Sequence, residues 1–275
     1  MRADQTAVFC DLDGTLFNCK GEVSKENREA ITRYVKQGGL FAIATGRCPD
    51  NMVQYLDGVD YNAPCILLNG AGIYDFAAGC YLYTNFADKD AISQVLRHAR
   101  ERYPNADLQV YSDKCIFYVS PKETVYLPFW ELHQKSRFVS IEDAETTSWF
   151  KALFLGTENE TKEINGWIDQ KGLGDRFDRV IGTTDIVPGW RYLEMLPKET
   201  NKGTALKACR NLSVYHGRTM IGVGDYFNDM ELLTEADIAA CPCNSHPDII
   251  AIADWVLSSN NDSAIADLIR RIENA

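Results

Sequence analysis

Four apolar residues, Ala7 to Cys10, run without interruption into Asp11-Leu12-Asp13-Gly14-Thr15. A run this short and this apolar is the pattern of a strand buried on both faces. Yet it ends in two carboxylates. A buried acid without a partner is costly. Two like charges about 4 Å apart at an effective dielectric near 20 repel by about 4 kcal/mol. The rest of the chain must therefore supply strands to flank this one and a cation to offset its acids.

The flanking elements follow at once. Residues 24–37 read as a helix: Ser24 is a candidate N-cap, Ala30, Ile31, Tyr34 and Val35 share a face, and Gly38-Gly39 end it. A second buried strand, LFAIATGR at 40–47, is followed by a short helix near 50–57 and the strand CILLNG at 65–70. Strand, helix, strand, helix, strand predicts a parallel sheet with right-handed crossovers.

After about residue 72 the pattern changes. IYDFAAGCYLYTNF reads as a hairpin, and a helix is predicted over 88–103. Strands at 108–112, 115–120, 148–156 and 177–184 then alternate with helical stretches at 123–133 and 158–170. The first two of these strands are joined by Ser112-Asp113-Lys114, a short turn that makes them antiparallel. From about 191 the buried-strand rhythm returns with RYLEML, TMIGVGD, DIAAC and WVLSS, separated by helices at 201–212, 228–236 and 246–253 and closed by one at 262–273. The predicted fold is α/β: an open, mainly parallel, Rossmann-like core sheet over 1–84 and 188–275, with an inserted α+β cap domain at 85–187.

Composition excludes several classes of function. With 45% apolar residues in 275, the chain can bury a sizeable core. Its 28 basic against 39 acidic residues give a net charge of −11, a poor footprint for nucleic acid or an anionic membrane. No apolar stretch approaches the ~20 residues of a membrane helix, and Met1 to Thr6 carry no signal-like apolar segment. Nine cysteines, an odd number without a CxxC pair, suit free thiols in a reducing compartment. A cytoplasmic monomer or homodimer acting on a small molecule is the expectation.

In open parallel sheets, ligands bind beyond the carboxyl ends of the strands, where strand order reverses. Four strands here end in residues suited to such a site: Asp11 with Asp13, Thr45, Asn69, and Asp225, which is followed by Asn228 and Asp229. In an extended chain Asp11 and Asp13 point to one side. Lys202 opens a helix nearby in the pattern. Pooled, Asp11, Asp13, Asp225 and Asp229 bring up to four negative charges to one crevice. An all-oxygen carboxylate set selects a hard cation, Mg²⁺ rather than Zn²⁺. Lys202 and the Thr45 hydroxyl remain to hold a further anion, and a phosphoryl group fits.

Competing patterns fail on particular residues. A calcium loop starting at Asp11 would need Gly where Leu16 stands, and one starting at Asp225 meets Phe227 at its third position. Gly222-Val223-Gly224 lacks the third glycine of a dinucleotide loop. His98, His133, His216 and His246 show no ligand spacing, and Cys241-Pro-Cys243 reads as a structural loop.

DLDGT at 11–15, ATGR at 44–47, NKG at 201–203 and GDYFND at 224–229 resemble, in order and spacing, the four motifs of the haloacid dehalogenase superfamily of phosphatases. The insertion between the second and third motifs, with NGAGIYD at 69–75, resembles the Cof-like sugar-phosphatase branch, subclass IIB. The resemblance implies a Mg²⁺-dependent phosphatase of small phosphomonoesters, sugar phosphates above all. Asp11 would attack phosphorus to form an aspartyl-phosphate. Asp13 would protonate the leaving alkoxide and then deprotonate the attacking water. Thr45 with Gly46, Lys202 and Asn228 would hold the phosphoryl oxygens. Mg²⁺ would sit on Asp11, the backbone carbonyl of Asp13, Asp225 and Asp229. Arg47 is expected to anchor its loop, and the cap to close over the site and set specificity.

Two stretches depart from the relatives. Tyr226-Phe227 stands where smaller residues are common, and ACPCNSHPD at 240–248 replaces a small-residue loop containing Asn-Ala. Two other readings stay open. A phosphotransferase of the phosphomannomutase type would need clustered arginines in the cap, where Arg97, Arg100, Arg102, Arg137, Arg176 and Arg179 are scattered. A non-catalytic phosphometabolite-binding protein would have no need to keep Asp11, Asp13, Lys202 and Asp225 intact.

Overall fold

The computed structural model describes every residue except 54, 122–135 and 184–186. The helix expected over 123–133, with Trp130 and His133, lies outside the described residues. Two compact units are present: Met1–Thr84 with Asn201–Ala275, and Asn85–Thr200.

The first unit opens with β1 (Thr6–Cys10), α1 (Lys25–Lys36), β2 (Leu40–Ile43), α2 (Pro49–Val53), β3 (Cys65–Leu67), β4 (Gly72–Asp75) and β5 (Cys80–Thr84). The second contains α3 (Lys89–Arg102), β6 (Asp107–Ser112), β7 (Ile116–Tyr118), β8 (Ser136–Phe138), α4 (Ile141–Ala144), β9 (Trp149–Thr157), α5 (Glu158–Gln170), β10 (Asp178–Thr183) and β11 (Trp190–Leu196). The first unit is completed by α6 (Lys202–Cys209), β12 (Thr219–Val223), α7 (Met230–Glu235), β13 (Ile238–Pro242), α8 (Pro247–Ile252), β14 (Trp255–Leu257) and α9 (Ala264–Asn274).

The core sheet is parallel, in the order β14-β13-β12-β1-β2. The apolar run that opens the chain is its fourth strand, and all five residues of β1 are buried. From β1 the chain goes to β2 on one side and returns to β12 on the other, so strand order reverses at Asp11. A bridge from Ala44 to Ile66 sets β3 beside the end of β2, and β3, β4 and β5 form a small antiparallel sheet. Helix α1 starts as its sequence predicts: the Ser24 hydroxyl accepts from the Asn27 N–H, and Ala30, Ile31 and Tyr34 are buried.

In the second unit six strands run in the order β10-β11-β9-β6-β7-β8, antiparallel but for β7 with β8. Ile92, Val95, Leu96 and Ala99 of α3 and Ile164 and Ile168 of α5 pack with Leu108, Val110, Ala152 and Phe154 of the sheet. Here one expectation is corrected. The sequence pattern places RYLEML in the returning core, with the boundary at 188, but it forms β11 between β9 and β10, and the second unit extends to Thr200. The cause is its alternation: Leu193 and Met195 enter the apolar core of the second unit, and such a period-2 pattern suits an antiparallel sheet covered on one face. The ends of this unit meet, the Asn85 side-chain amide donating to the Thr200 hydroxyl at 2.7 Å. No helix among the described residues is long and apolar enough to cross a membrane.

Candidate active site

Beyond Cys10 the chain stays extended for one more residue. The Asp11 N–H donates to the Val223 carbonyl at 2.9 Å, which carries the parallel pairing past the strand end and draws the carboxylate inward, only 5% of the residue remaining exposed. Leu12–Leu16 then turns tightly. Gly14 has φ +84°, and a Cβ there would stand 2.3 Å from Asp225 Oδ2, so only glycine fits.

The Lys202 ammonium is buried and donates to Asp11 Oδ1 and to Asp229 Oδ1, each at 2.6 Å. Its placement comes from the start of α6. Asn201 caps that helix, accepting from the Thr204 N–H at 2.8 Å while the Thr204 hydroxyl accepts from the Asn201 N–H at 3.1 Å. Gly70, at φ +98°, lets the preceding turn press against this start, where a Cβ would lie 2.1 Å from the Asn201 carbonyl oxygen. The other Asp229 oxygen accepts from the Asp225 and Tyr226 N–H groups at 3.0 and 3.3 Å, folding the GDYFND loop onto itself. Asp225 Oδ1 accepts from the Thr15 hydroxyl at 2.9 Å.

The result is a cluster: one oxygen from each of Asp11, Asp225 and Asp229, all within 4.8 Å of one another. Burial, and then the Asp229 charge, push the Asp11 carboxyl well above its ordinary range despite Lys202. Burial likewise lifts Asp225 to about 6, against the pull of the Thr15 hydroxyl. Burial works to lower Lys202, but Asp11 and Asp229 outweigh it and hold the lysine above its ordinary value. One ammonium against three carboxylates leaves two charges to balance. A hard dication with oxygen ligands does that, and would displace the proton that burial otherwise favours on Asp225. The residues present therefore fit Mg²⁺.

Of the other residues singled out in the sequence, the Asp13 carboxylate lies outside this cluster. Its side chain is 64% exposed, and Arg47 holds it through Nη2 at 2.7 Å and Nε at 3.2 Å. Thr45 is buried on the loop after β2. Its N–H donates to the Ile66 carbonyl at 2.9 Å, its carbonyl accepts from the Asn69 N–H at 3.1 Å, and its hydroxyl accepts from the Arg47 N–H at 3.3 Å. Gly46 faces the Asn69 amide closely, a Cβ there falling 2.9 Å from it. Leu68 and Asn69 both take the left-handed conformation that brings their turn against this loop, with φ of 56° and 54°. Asn228 is exposed on the short turn Phe227–Asp229 after β12.

Three contributors were missed in the sequence: Thr15, which holds Asp225; Arg47 as the partner of Asp13; and Asn244. The Asn244 side-chain amide donates to the Gly14 carbonyl at 3.0 Å, and its oxygen accepts from the Asn260 N–H at 2.8 Å, bracing the turn that follows the first aspartate. Thr15 stood in plain view inside DLDGT. Asn244 lies in ACPCNSHPD, where nothing local marks its amide as a brace for a turn 230 positions away.

The sequence profile of the haloacid dehalogenase-like hydrolases matches residues 8–269. The chain belongs to this family, and the parallel core sheet with a separate second unit is the fold expected of it. Among characterised relatives, the chain is 26% identical over 283 residues to a protein of Arabidopsis thaliana named endoribonuclease YBEY, chloroplastic, aligning 96% of its own length with 46% of that longer protein. It is 24% identical over 298 residues to phosphatase YwpJ of Bacillus subtilis, covering 96% of this chain and 99% of that one. A haloacid dehalogenase-like hydrolase from Bacteroides thetaiotaomicron shares the fold at a TM-score of 0.81 and 20% identity, over 97% of this chain and 99% of its own.

Proposed function

We propose that the protein is a Mg²⁺-dependent phosphatase that hydrolyses small phosphomonoesters, sugar phosphates in particular, through an aspartyl-phosphate. The observation that carries the reading is the buried grouping of Asp11, Lys202, Asp225 and Asp229 at the carboxyl end of β1, where strand order reverses. An Asp11 oxygen forms a bond to phosphorus as the phosphorus–alkoxide bond breaks, and the proton on Asp13 passes to the departing oxygen. Water then attacks phosphorus, Asp13 takes its proton, and the bond to Asp11 breaks. Thr45, Gly46, Lys202 and Asn228 hold the non-bridging oxygens, where Lys202 offsets the negative charge that builds up. When bound by Asp11, Asp225, the Asp13 carbonyl and Asp229, Mg²⁺ supplies positive charge to the phosphoryl oxygens and relieves repulsion among the acids. An odd number of cysteines without a CxxC pair is in keeping with a cytoplasmic enzyme.

Hydrolysis is favoured over transfer to a second phosphorylated sugar by the pairing of three of the six arginines singled out in the second unit. Arg97 is paired with Glu142 and Glu145, Arg176 with Asp88, and Arg179 with Asp169. These guanidinium groups are engaged by carboxylates of their own unit instead of converging on a second phosphate. The test is phosphate release from a panel of phosphomonoesters, with and without Mg²⁺, comparing wild type with Asp11→Asn. Metal-dependent release that collapses in the variant is expected. Equal release from both proteins would overturn the reading.

A further inference from the structure

We infer that Arg47 is the positioning residue for Asp13, and that it works as a fork seated in a corner formed by two aromatic rings. The inference rests on the phosphatase reading, in which Asp13 must meet the leaving oxygen. An aspartate with 64% of its side chain exposed has several staggered rotamers open to it. Ordinary exposed ion pairs restrain such a group weakly. The Asp13 pair differs in three respects.

First, Arg47 binds both carboxylate oxygens, Nη2 on Oδ1 and Nε on Oδ2, which fixes the plane of the acid as well as its distance. Second, Arg47 is itself fixed, with 21% of its side chain exposed. Its guanidinium carbon lies 4.7 Å from the Tyr55 ring centroid and 5.6 Å from that of Phe17, two rings whose own centroids are 6.2 Å apart. Third, its backbone is tied to the phosphate loop, the N–H donating to the Thr45 hydroxyl and the carbonyl accepting from the Leu68 N–H at 3.1 Å. Through Arg47 the position of the acid is therefore referenced to Thr45, the residue proposed to grip the phosphoryl group. A lysine cannot replace this, because a point charge neither forks onto a carboxylate nor stacks flat on a ring.

A displacement of about 1 Å at a reacting group costs about 100-fold in rate. The defect is specific, because only a poor leaving group needs the proton. The experiment compares kcat/KM for p-nitrophenyl phosphate, whose phenolate leaves unaided, with kcat/KM for the best alkyl phosphomonoester of the panel. This parameter covers steps up to loss of the alcohol, so later hydrolysis of the aspartyl-phosphate does not enter. In Arg47→Met the alkyl-to-aryl ratio is expected to fall at least roughly tenfold, within the range that general-acid catalysis contributes. Arg47→Lys is expected to recover little of it. Tyr55→Leu, which removes one ring and keeps the guanidinium, is expected to lower the same ratio by a smaller factor, and it provides a readout should Arg47→Met fail to fold.

Parallel losses on both esters would make Arg47 a substrate ligand or a merely structural residue and overturn the inference. Full rescue by Arg47→Lys would overturn it too, since charge alone would then suffice. An unchanged ratio in Tyr55→Leu would overturn the role given to the aromatic corner. Wild-type protein that hydrolyses neither ester in Mg²⁺ would instead overturn the phosphatase reading itself, a result distinct from each of these.

Discussion

Replacing Lys202 with Met would test whether the buried ammonium is what lets the acids coexist. Methionine keeps a similar unbranched length and volume, so the packing change is small. What is lost is the single cation 2.6 Å from both Asp11 and Asp229. Removing one partner of a buried ion pair costs about 3–5 kcal/mol, because the remaining charge is left without compensation. At about 2–4 °C per kcal/mol for a unit of this size, the melting temperature should fall by about 10 °C. The assay is thermal unfolding followed by circular dichroism at pH 7.5 in a chelating buffer. Two further readouts carry the sign. Asp11 already sits above its ordinary carboxyl range through burial, and loss of Lys202 moves it higher. A folded-state acid above its unfolded value loses stability as pH rises between the two. The gap between wild type and variant should therefore narrow at pH 5 and widen at pH 7.5. Added Mg²⁺ should raise the variant more than the wild type, since it replaces the missing positive charge. A loss below about 1 kcal/mol at pH 7.5 without metal would refute the reasoning, because no buried charge can be left uncompensated so cheaply.

In the second unit, Asp107 is buried between the Gln109 amide and the Ser120 hydroxyl, at 2.9 and 3.1 Å, and burial lifts its pKa to about 6. The native state then binds a proton that the unfolded state has lost, so wild-type stability should fall by about 2 kcal/mol from pH 4 to pH 7. Asp107→Asn should flatten this profile in urea titrations at the two pH values; equal slopes would contradict it. Thr15→Val removes the hydroxyl 2.9 Å from Asp225 while keeping its shape, and should weaken Mg²⁺ half-saturation by about 10–100-fold with little change in melting temperature. Gly70→Ala places a Cβ 2.1 Å from the Asn201 carbonyl at φ +98°. It should cost at least about 2 kcal/mol and shift the start of α6, seen as lowered melting temperature together with lost activity.

Asp11 and Asp225 were legible because each follows an apolar strand, after Cys10 and Gly224, and Lys202 because it opens a helix behind the Asn201 cap. A buried strand has nowhere to end but at a sheet edge, so polar residues at its carboxyl end mark the site. What was not legible depends on partners far along the chain. The alternation in RYLEML suits an antiparallel strand, but its neighbours, β9 and β10, are settled by tertiary pairing outside the segment. The i, i+2 rule that put Asp11 and Asp13 on one side holds only in extended chain, and the turn at Leu12–Leu16 ends that regime at the first aspartate. The grip of Arg47 on Asp13 spans 34 positions and depends on side-chain direction, which periodicity does not encode.

The meeting of Asn85 with Thr200 bears on how the first unit is made. On the ribosome β1 emerges with β2, but its other neighbour, β12, follows only after the whole second unit has been synthesised. Bringing those two strands together through a floppy connection of that length would cost about 4 kcal/mol in loop-closure entropy. A second unit that has already folded, with its two ends hydrogen-bonded, shortens the effective connection to almost nothing. It then acts on the parallel sheet as a staple. Lesions confined to its apolar interior would weaken the pairing of β1 with β12, and with it the seating of Asp11, although none of the altered residues belongs to the sheet.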